Sequence, residues 1–206
     1  MRMSKEAAAA SRIRIIEAAS RLFRERGIEA CSIADVMAAA GMTHGGFYKH
    51  FQSKEALVAA ALSAAFAGHT DRFARRREQD GPLAALDAYV AEYLSEDHLT
   101  HPGVGCPAAA LGTEVGRGSG DAARAFAKGV ETIVADFVTA APPGCRDGAA
   151  RAAAIRRLAM MVGAVVVGRG VGSGALRDEI LAACSDVENF PAAGAAGKAR
   201  RVTEKG

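Results

Sequence analysis

The sequence predicts an all-α protein, and three observations carry that prediction. Ala and Gly are abundant, whereas aromatics make up 5% of the chain and Trp is absent, which favours closely packed helices over a strand-rich core. Apolar residues recur at helical spacing along most of the chain,. The periodic stretches begin after Ser, Thr or Asp and end at Gly or Pro, as helices do. Half of the 206 residues are apolar, enough for one good core or for a small domain beside a larger one.

Residues 1–10 read as a flexible arm. Arg2 and Lys5 could touch a polyanion, but a disordered terminus without a role accounts for them as well and is preferred,. From Ser11 the residues Ile13, Ile16, Ala19, Leu22 and Phe23 define a helical stripe that ends at Gly27, with five arginines on its other faces,.

The stretch Ser32 to Phe51, SIADVMAAAGMTHGGFYKHF, reads as two short helices joined by a tight turn,. Ser32 and Asp35 have the spacing of a capping box, and Ile33, Val36, Met37 and Ala40 form a narrow apolar stripe,. Gly41 suits the left-handed residue that ends the first helix. Thr43 is a second N-cap, starting a helix from His44 to about Phe51 with Phe47 and Phe51 facing inward,. Gly45 and Gly46 each cost that helix roughly 0.8–1 kcal/mol relative to Ala, so another requirement outweighs stability. Small residues let a backbone approach a surface closely, and Thr43, His44, Tyr48, Lys49 and His50 carry groups suited to phosphates and base edges,. The pattern implies a helix-turn-helix for the major groove of DNA; a core αα-hairpin with incidental glycines is the plainer alternative. Charge agrees with the former: residues 1–54 hold nine Lys/Arg against five Asp/Glu, net +4, while residues 55–206 hold seventeen against eighteen, net −1,.

The run Gly41 to Leu57, GMTHGGFYKHFQSKEAL, resembles the recognition region of the TetR family of bacterial transcriptional regulators. The resemblance implies phosphate contacts from Thr43, Tyr48 and Lys54, and places His44, Gly45, Gly46 and Lys49 nearest the bases. It also implies a homodimer that acts most often as a repressor. The expected architecture is an N-terminal three-helix helix-turn-helix DNA-binding domain, residues 11–58, joined through a connecting helix to a larger helical ligand-binding and dimerisation domain, residues 59–190. From Pro191 the composition is that of a disordered basic tail, residues 191–206,.

The connecting helix is capped by Ser53 and runs through Leu57, Val58, Leu62, Phe66, His69 and Phe73 to the break at Gly81-Pro82,. Leu83 to Leu94 follows as a helix whose Tyr89 and Tyr93 lie one turn apart. Ordinary core explains these tyrosines; a pocket lining is the sharper reading, with Leu62, Phe66, Leu86, Tyr89, Tyr93, Leu111, Phe126 and Phe137 around a small apolar or aromatic effector,. Ser95 to Gly105 reads as a loop; Glu96, Asp97, His98 and His101 match no common metal spacing there, and a solvated loop explains them,. Pro107 starts a short helix with Cys106 at its N-terminus, where the dipole would lower the thiol pKa. A buried packing residue is the default for Cys106, and a redox or electrophile sensor is the alternative. Asp121 caps the next helix, which Pro142-Pro143-Gly144 ends.

Ala149 to about Val171 and Leu176 to about Val187 are two helices of broad apolar surface, separated by Gly172-Ser173-Gly174. They are assigned to dimerisation, with Leu158, Met161, Val162, Val165, Val166, Leu176, Ile180 and Leu181 at the interface. The expected partners are therefore a pseudo-palindromic double-stranded operator, a second copy of the chain and a small-molecule effector. Neither a cofactor motif nor a familiar catalytic one appears, which disfavours an enzyme, although a site assembled across the fold would not show in a sequence. The four cysteines never approach a Cys-x-x-Cys spacing, a signal-peptide pattern is lacking, and the longest apolar run, Leu158 to Gly168, has eleven residues. A cytoplasmic protein off the membrane is expected.

Overall fold

The computed structural model describes residues 5–141 and 147–185. The readings at Arg2, Pro142-Pro143-Gly144, Cys145, Val187 and the tail 191–206 lie outside them. The described residues form helices and turns without a strand: α1 Lys5–Arg26, α2 Ile33–Ala39, a 3-10 helix His44–Lys49, α3 Lys54–Asp80, α4 Pro82–Tyr93, α5 Glu96–Thr100, a 3-10 turn Pro102–Val104, α6 Pro107–Val115, α7 Asp121–Val138, α8 Gly148–Val171 and α9 Ala175–Ser185.

Helix α1 already runs at Lys5, where the sequence predicts an arm up to residue 10. Its buried stripe is Ile15, Ala18, Ala19, Leu22 and Phe23, while Ile13 is 55% exposed. Each step of three residues falls short of a full turn, so two steps carry Ile13 about 120° round the helix from Ala19, whereas Ile15 stays over it. Together α1, α2 and the 3-10 helix bury Ile15, Val36, Met37 and Phe47 in one cluster.

Helix α3, roughly 40 Å long by its 27 residues,, connects that module to the rest of the chain. It starts at Ser53, whose Oγ accepts the Ala56 N–H at 3.1 Å. Against it lies α7, and the closest approach is at Gly129, where a Cβ would sit 2.2 Å from the Phe66 ring. Glycine is needed there for the helices to meet. Further along α3 the rings of Phe73, Tyr89 and Phe137 pack edge to face or tilted, with centroids 5.3 to 6.1 Å apart.

Several local readings are corrected. The segment from Ser95 to Gly105 is an ordered helix and turn: the Ser95 Oγ caps α5 by accepting the His98 N–H at 3.2 Å. Asp121 does not cap α7; Gly120 holds that position with φ 87°, and Asp121 donates its N–H to Glu55 at 3.3 Å. In α8, Leu158, Met161 and Val165 are 5%, 0% and 0% exposed and belong to the core of the single chain, not to a free interface. Apolar residues surround this helix, so the sequence alone could not tell its inner face from its outer one. The outer face carries Ile155, Val166 and Val171, with Leu176 on α9, all 42–58% exposed; Val162, Ile180 and Leu181 are half-buried beside them.

Candidate functional site

The N-terminal module is built by its caps. Ser32 Oγ accepts the Asp35 N–H at 3.1 Å and Asp35 Oδ2 accepts the Ser32 N–H at 2.8 Å. The Ser32 hydroxyl also donates to Asp35 Oδ2 at 2.5 Å, and this bond first, with the Ser32 N–H second, holds the Asp35 carboxyl below its ordinary pKa,. Gly41 takes φ 70°, and the chain turns back so that Met42 donates to the Met37 carbonyl at 2.9 Å.

The next element is a 3-10 helix, tighter than the α-helix read from the sequence, and the Thr43 side chain makes no cap hydrogen bond. A run of six residues with two glycines among its first three gains little from α-helical bonds, so anchoring comes from side chains instead,. Phe47 is fully buried and stacks on Phe51 at 5.8 Å, Tyr48 meets its edge at 5.2 Å, and the Arg12 guanidinium covers the Phe51 ring at 4.7 Å. With Phe47 as the pin, Thr43, His44, Gly45, Tyr48 and Lys49 all face solvent on one short element, and Tyr48 is 66% exposed. His50 and Lys54 are half-buried at its edge. Gly46 is half-buried, and a Cβ there would make ordinary contact with the Met37 side chain at 3.5 Å, while at Gly45 there is open space.

Residues 15–61 match the family of bacterial regulatory proteins of the tetR family. The chain is 36% identical over 99 residues to the HTH-type transcriptional regulator TtgR of Pseudomonas putida, a match covering 47% of each chain. It is 41% identical over 86 residues to the probable HTH-type transcriptional regulator ArpR of Pseudomonas putida, covering 42% of this chain and 40% of that one. Over residues 15–61 the chain carries the DNA-binding module of the TetR family. It spans about half the length, or less, of these two relatives, which are named as regulators and not as enzymes. The fold extends the likeness: a TetR-family regulator from Cytophaga hutchinsonii superposes with a TM-score of 0.75 at 21% identity, covering 91% of this chain and 96% of that one. The reduced form of NemR from E. coli gives 0.71 at 24% identity, covering 85% and 95%.

Beyond the TetR module, a cavity of about 70 Å³ lies between α3, α4 and the segment 95–105. Of the eight residues read as a pocket, Tyr89 and Tyr93 line it. The other six are elsewhere. Leu62 and Leu111 pack in a gap too small for water, Phe66 and Phe126 meet edge to face at 5.5 Å beside Gly129, and Leu86 and Phe137 line a separate groove with Ala154 and Arg157. The cavity is also not free of charge, contrary to the apolar pocket expected from the sequence: Arg72, Arg76, Glu92 and Asp97 stand around it.

Two histidines close its inner wall. His69 Nε2–H donates to the Gly105 carbonyl at 3.1 Å while Nδ1 accepts from Arg72 at 3.0 Å. His98 Nδ1–H donates to the Tyr93 carbonyl at 2.5 Å while Nε2 accepts the Cys106 N–H at 2.9 Å. Each ring therefore holds one proton, and burial pushes both pKa values down, that of His69 to about 4 with help from the nearby Arg72,. In the sequence His69 falls within an apolar stripe, which is the signal that this imidazole is buried; nothing local marks its partner Gly105. Among the described residues no three His, Cys, Asp or Glu side chains gather as a metal site.

Cys106 does sit at the N-terminus of α6, but it is fully buried. Burial pushes its thiol pKa up, outweighing the lowering influences of the Tyr93 side chain, the Ala108 and Ala109 N–H groups and Arg24. The Tyr93 hydroxyl is near enough to bias the thiol, yet it lies outside hydrogen-bond geometry. Cys106 is thus the buried packing residue taken as the default, and the alternative of a thiol activated by the dipole is disfavoured, because losing water costs a thiolate more than one helix turn returns,.

Among the described residues, side-chain hydrogen bonds tie the module to the body at three points. Arg24 of α1 donates through Nε to the Gly103 carbonyl at 3.0 Å. Glu114 of α6 accepts the Ile28 and Glu29 N–H groups at 2.7 and 3.3 Å, across the turn at Gly27. Glu55 of α3 accepts the Asp121 N–H, as above. Arg169 of α8 extends this frame by donating to the carbonyls of Leu99 and His98 at 3.0 and 2.6 Å. No helix among the described residues is long and apolar enough to cross a membrane.

Proposed function

We propose that this TetR-family protein is a cytoplasmic, DNA-binding transcriptional regulator, a repressor that works as a homodimer and leaves a pseudo-palindromic operator when a small molecule binds. The observation that carries this reading is the exposed polar face of Thr43, His44, Gly45, Tyr48 and Lys49 over the buried anchor Phe47. Hydroxyls and an ammonium on that face suit phosphates, and the His44 imidazole, beside an open Gly45, suits a base edge,. His50, Gly46 and Lys54 stand at the margin of the same face, Lys54 as a phosphate partner.

Pairing through the exposed apolar face of α8 and α9 supports two heads on one side of a duplex, with half-sites about 34–36 Å apart,. The cavity at Tyr89 and Tyr93 supports an effector, which must bind the form with mismatched heads more tightly than the DNA-competent one. Selection of bound duplexes from a random pool tests the whole reading. An inverted repeat among the winners is expected; winners with no shared sequence would refute it. On the selected site, Lys54→Ala and Tyr48→Phe should weaken binding to specific and scrambled DNA alike, with the salt slope for Lys54→Ala falling by roughly one unit. His44→Ala should instead change the preference between sites, and an equal loss on both duplexes removes it as a base reader.

A further inference from the structure

The cavity at Tyr89 and Tyr93 has more hydrogen-bond donors to offer than acceptors, and this points to the class of its ligand; the inference rests on the effector reading above. The hydroxyls of Tyr89 and Tyr93 are buried with no hydrogen-bond partner among the described residues, and the two residues are only 9% and 4% exposed. Buried hydroxyls in native proteins are nearly always paired, so two orphans lining one cavity mark a place where something else supplies the acceptors,. At the rim, Arg76 is paired with Glu92 at 3.1 Å and Asp97 with His101 at 2.9 Å. Arg72 is in a different position. Its hydrogen-bond partner is Nδ1 of His69, a neutral ring whose single proton goes to Gly105, so no carboxylate among the described ion pairs offsets that guanidinium.

The remaining wall is flat. Phe73, Tyr89 and Tyr93 present rings, and the His98 imidazole lies 4.4 Å from Tyr93, ring to ring. A volume of about 70 Å³ corresponds to about two waters, so an occupant is limited to one ring with small substituents, much of it in the open mouth. We propose that this cavity binds a compact aromatic carboxylate, its anionic end on Arg72 and its ring and any hydroxyl directed to Tyr89 and Tyr93. The wall that such a ligand touches includes Val104 and Gly105, one residue along from the Gly103 carbonyl that Arg24 of α1 holds. Occupancy thereby bears on the tie between the body and the DNA-reading module.

The test compares para-hydroxybenzoate with para-hydroxybenzamide, which match in shape and differ in charge, by calorimetry on the full chain. The acid should bind at least about tenfold more tightly, the worth of a hydrogen bond to a charged group. Arg72→Gln should erase that preference, whereas Tyr93→Phe should weaken acid and amide together. The acid, and not the amide, should also release the protein from duplexes won by selection. Equal binding of the two probes, binding of neither, or an acid preference that survives Arg72→Gln would overturn the site. Binding of the acid without release of DNA would overturn its effector role. If no duplex is selected at all, the DNA reading fails on its own, because calorimetry scores the cavity without DNA.

Discussion

Burial keeps His69 neutral down to about pH 4, against an ordinary value of 6.5, and this links folding to pH. Above 6.5 the ring is neutral in both folded and unfolded chains, so the full stability is present. As pH falls toward 4 the unfolded chain takes up a proton that the folded one refuses, and stability on the order of 3 kcal/mol is lost across that window,. His98, lowered in the same direction, adds to it. His69→Gln should flatten this acid decline in urea titrations made above and within the window; an unchanged decline assigns it to other groups. Cys106 yields a second expectation. Being fully buried with a raised pKa, it should react with a thiol reagent near neutral pH no faster than Cys31, and more slowly than the half-buried Cys184,. Rapid labelling of Cys106 in the native protein would restore the sensor alternative.

Between α1 and α6 the connection is a carboxylate on a turn. Gly27 takes φ 89°, and a Cβ there would fall 2.5 Å from Glu114 Oε1, so the turn admits the carboxylate only with glycine in place,. Glu114 then accepts the N–H groups of Ile28 and Glu29 in the turn that follows α1. Glu114→Ala should cost about 1 kcal/mol, the worth of a part-buried hydrogen bond,, and should speed hydrogen exchange at the Ile28 and Glu29 amides. Unchanged exchange at those amides would show that the turn does not depend on the tie. Since α3 also passes from the module into the body and carries Glu55 against α7, the head is held from both sides, and a shift of the body can be passed to it,.

The proposed pairing of two chains places opposite demands on neighbouring residues of α8. Val166 is 47% exposed on the outer face, whereas Val165 is fully buried in the chain's own core. Val166→Arg should therefore give folded monomers in sedimentation, with weakened binding to a two-half-site operator. Val165→Arg should unfold the chain, since a buried unpaired charge is among the costliest substitutions. Folded dimers of Val166→Arg would move the interface off this face.

Much of the architecture could be read from local pattern because it is set locally. The capping box at Ser32 and Asp35, the turn at Gly41, the cap at Ser53 and the inward Phe47 each depend on residues within one or two turns of one another, and each is found in the structure. For the same reason the family could be read from the run Gly41 to Leu57. The body was less legible. Whether Val165 or Val166 faces inward depends on which helices lie beside α8, and an apolar helix carries no such mark in its own sequence. That His69 meets Gly105, that Arg24 meets Gly103 and that Glu114 meets Ile28 are contacts across 36, 79 and 86 positions, formed only when the chain closes on itself. The surroundings of Cys106 and the placing of Arg72 beside two unpaired tyrosines were decided in that same step, because burial and charge balance are properties of the packed chain and not of any segment.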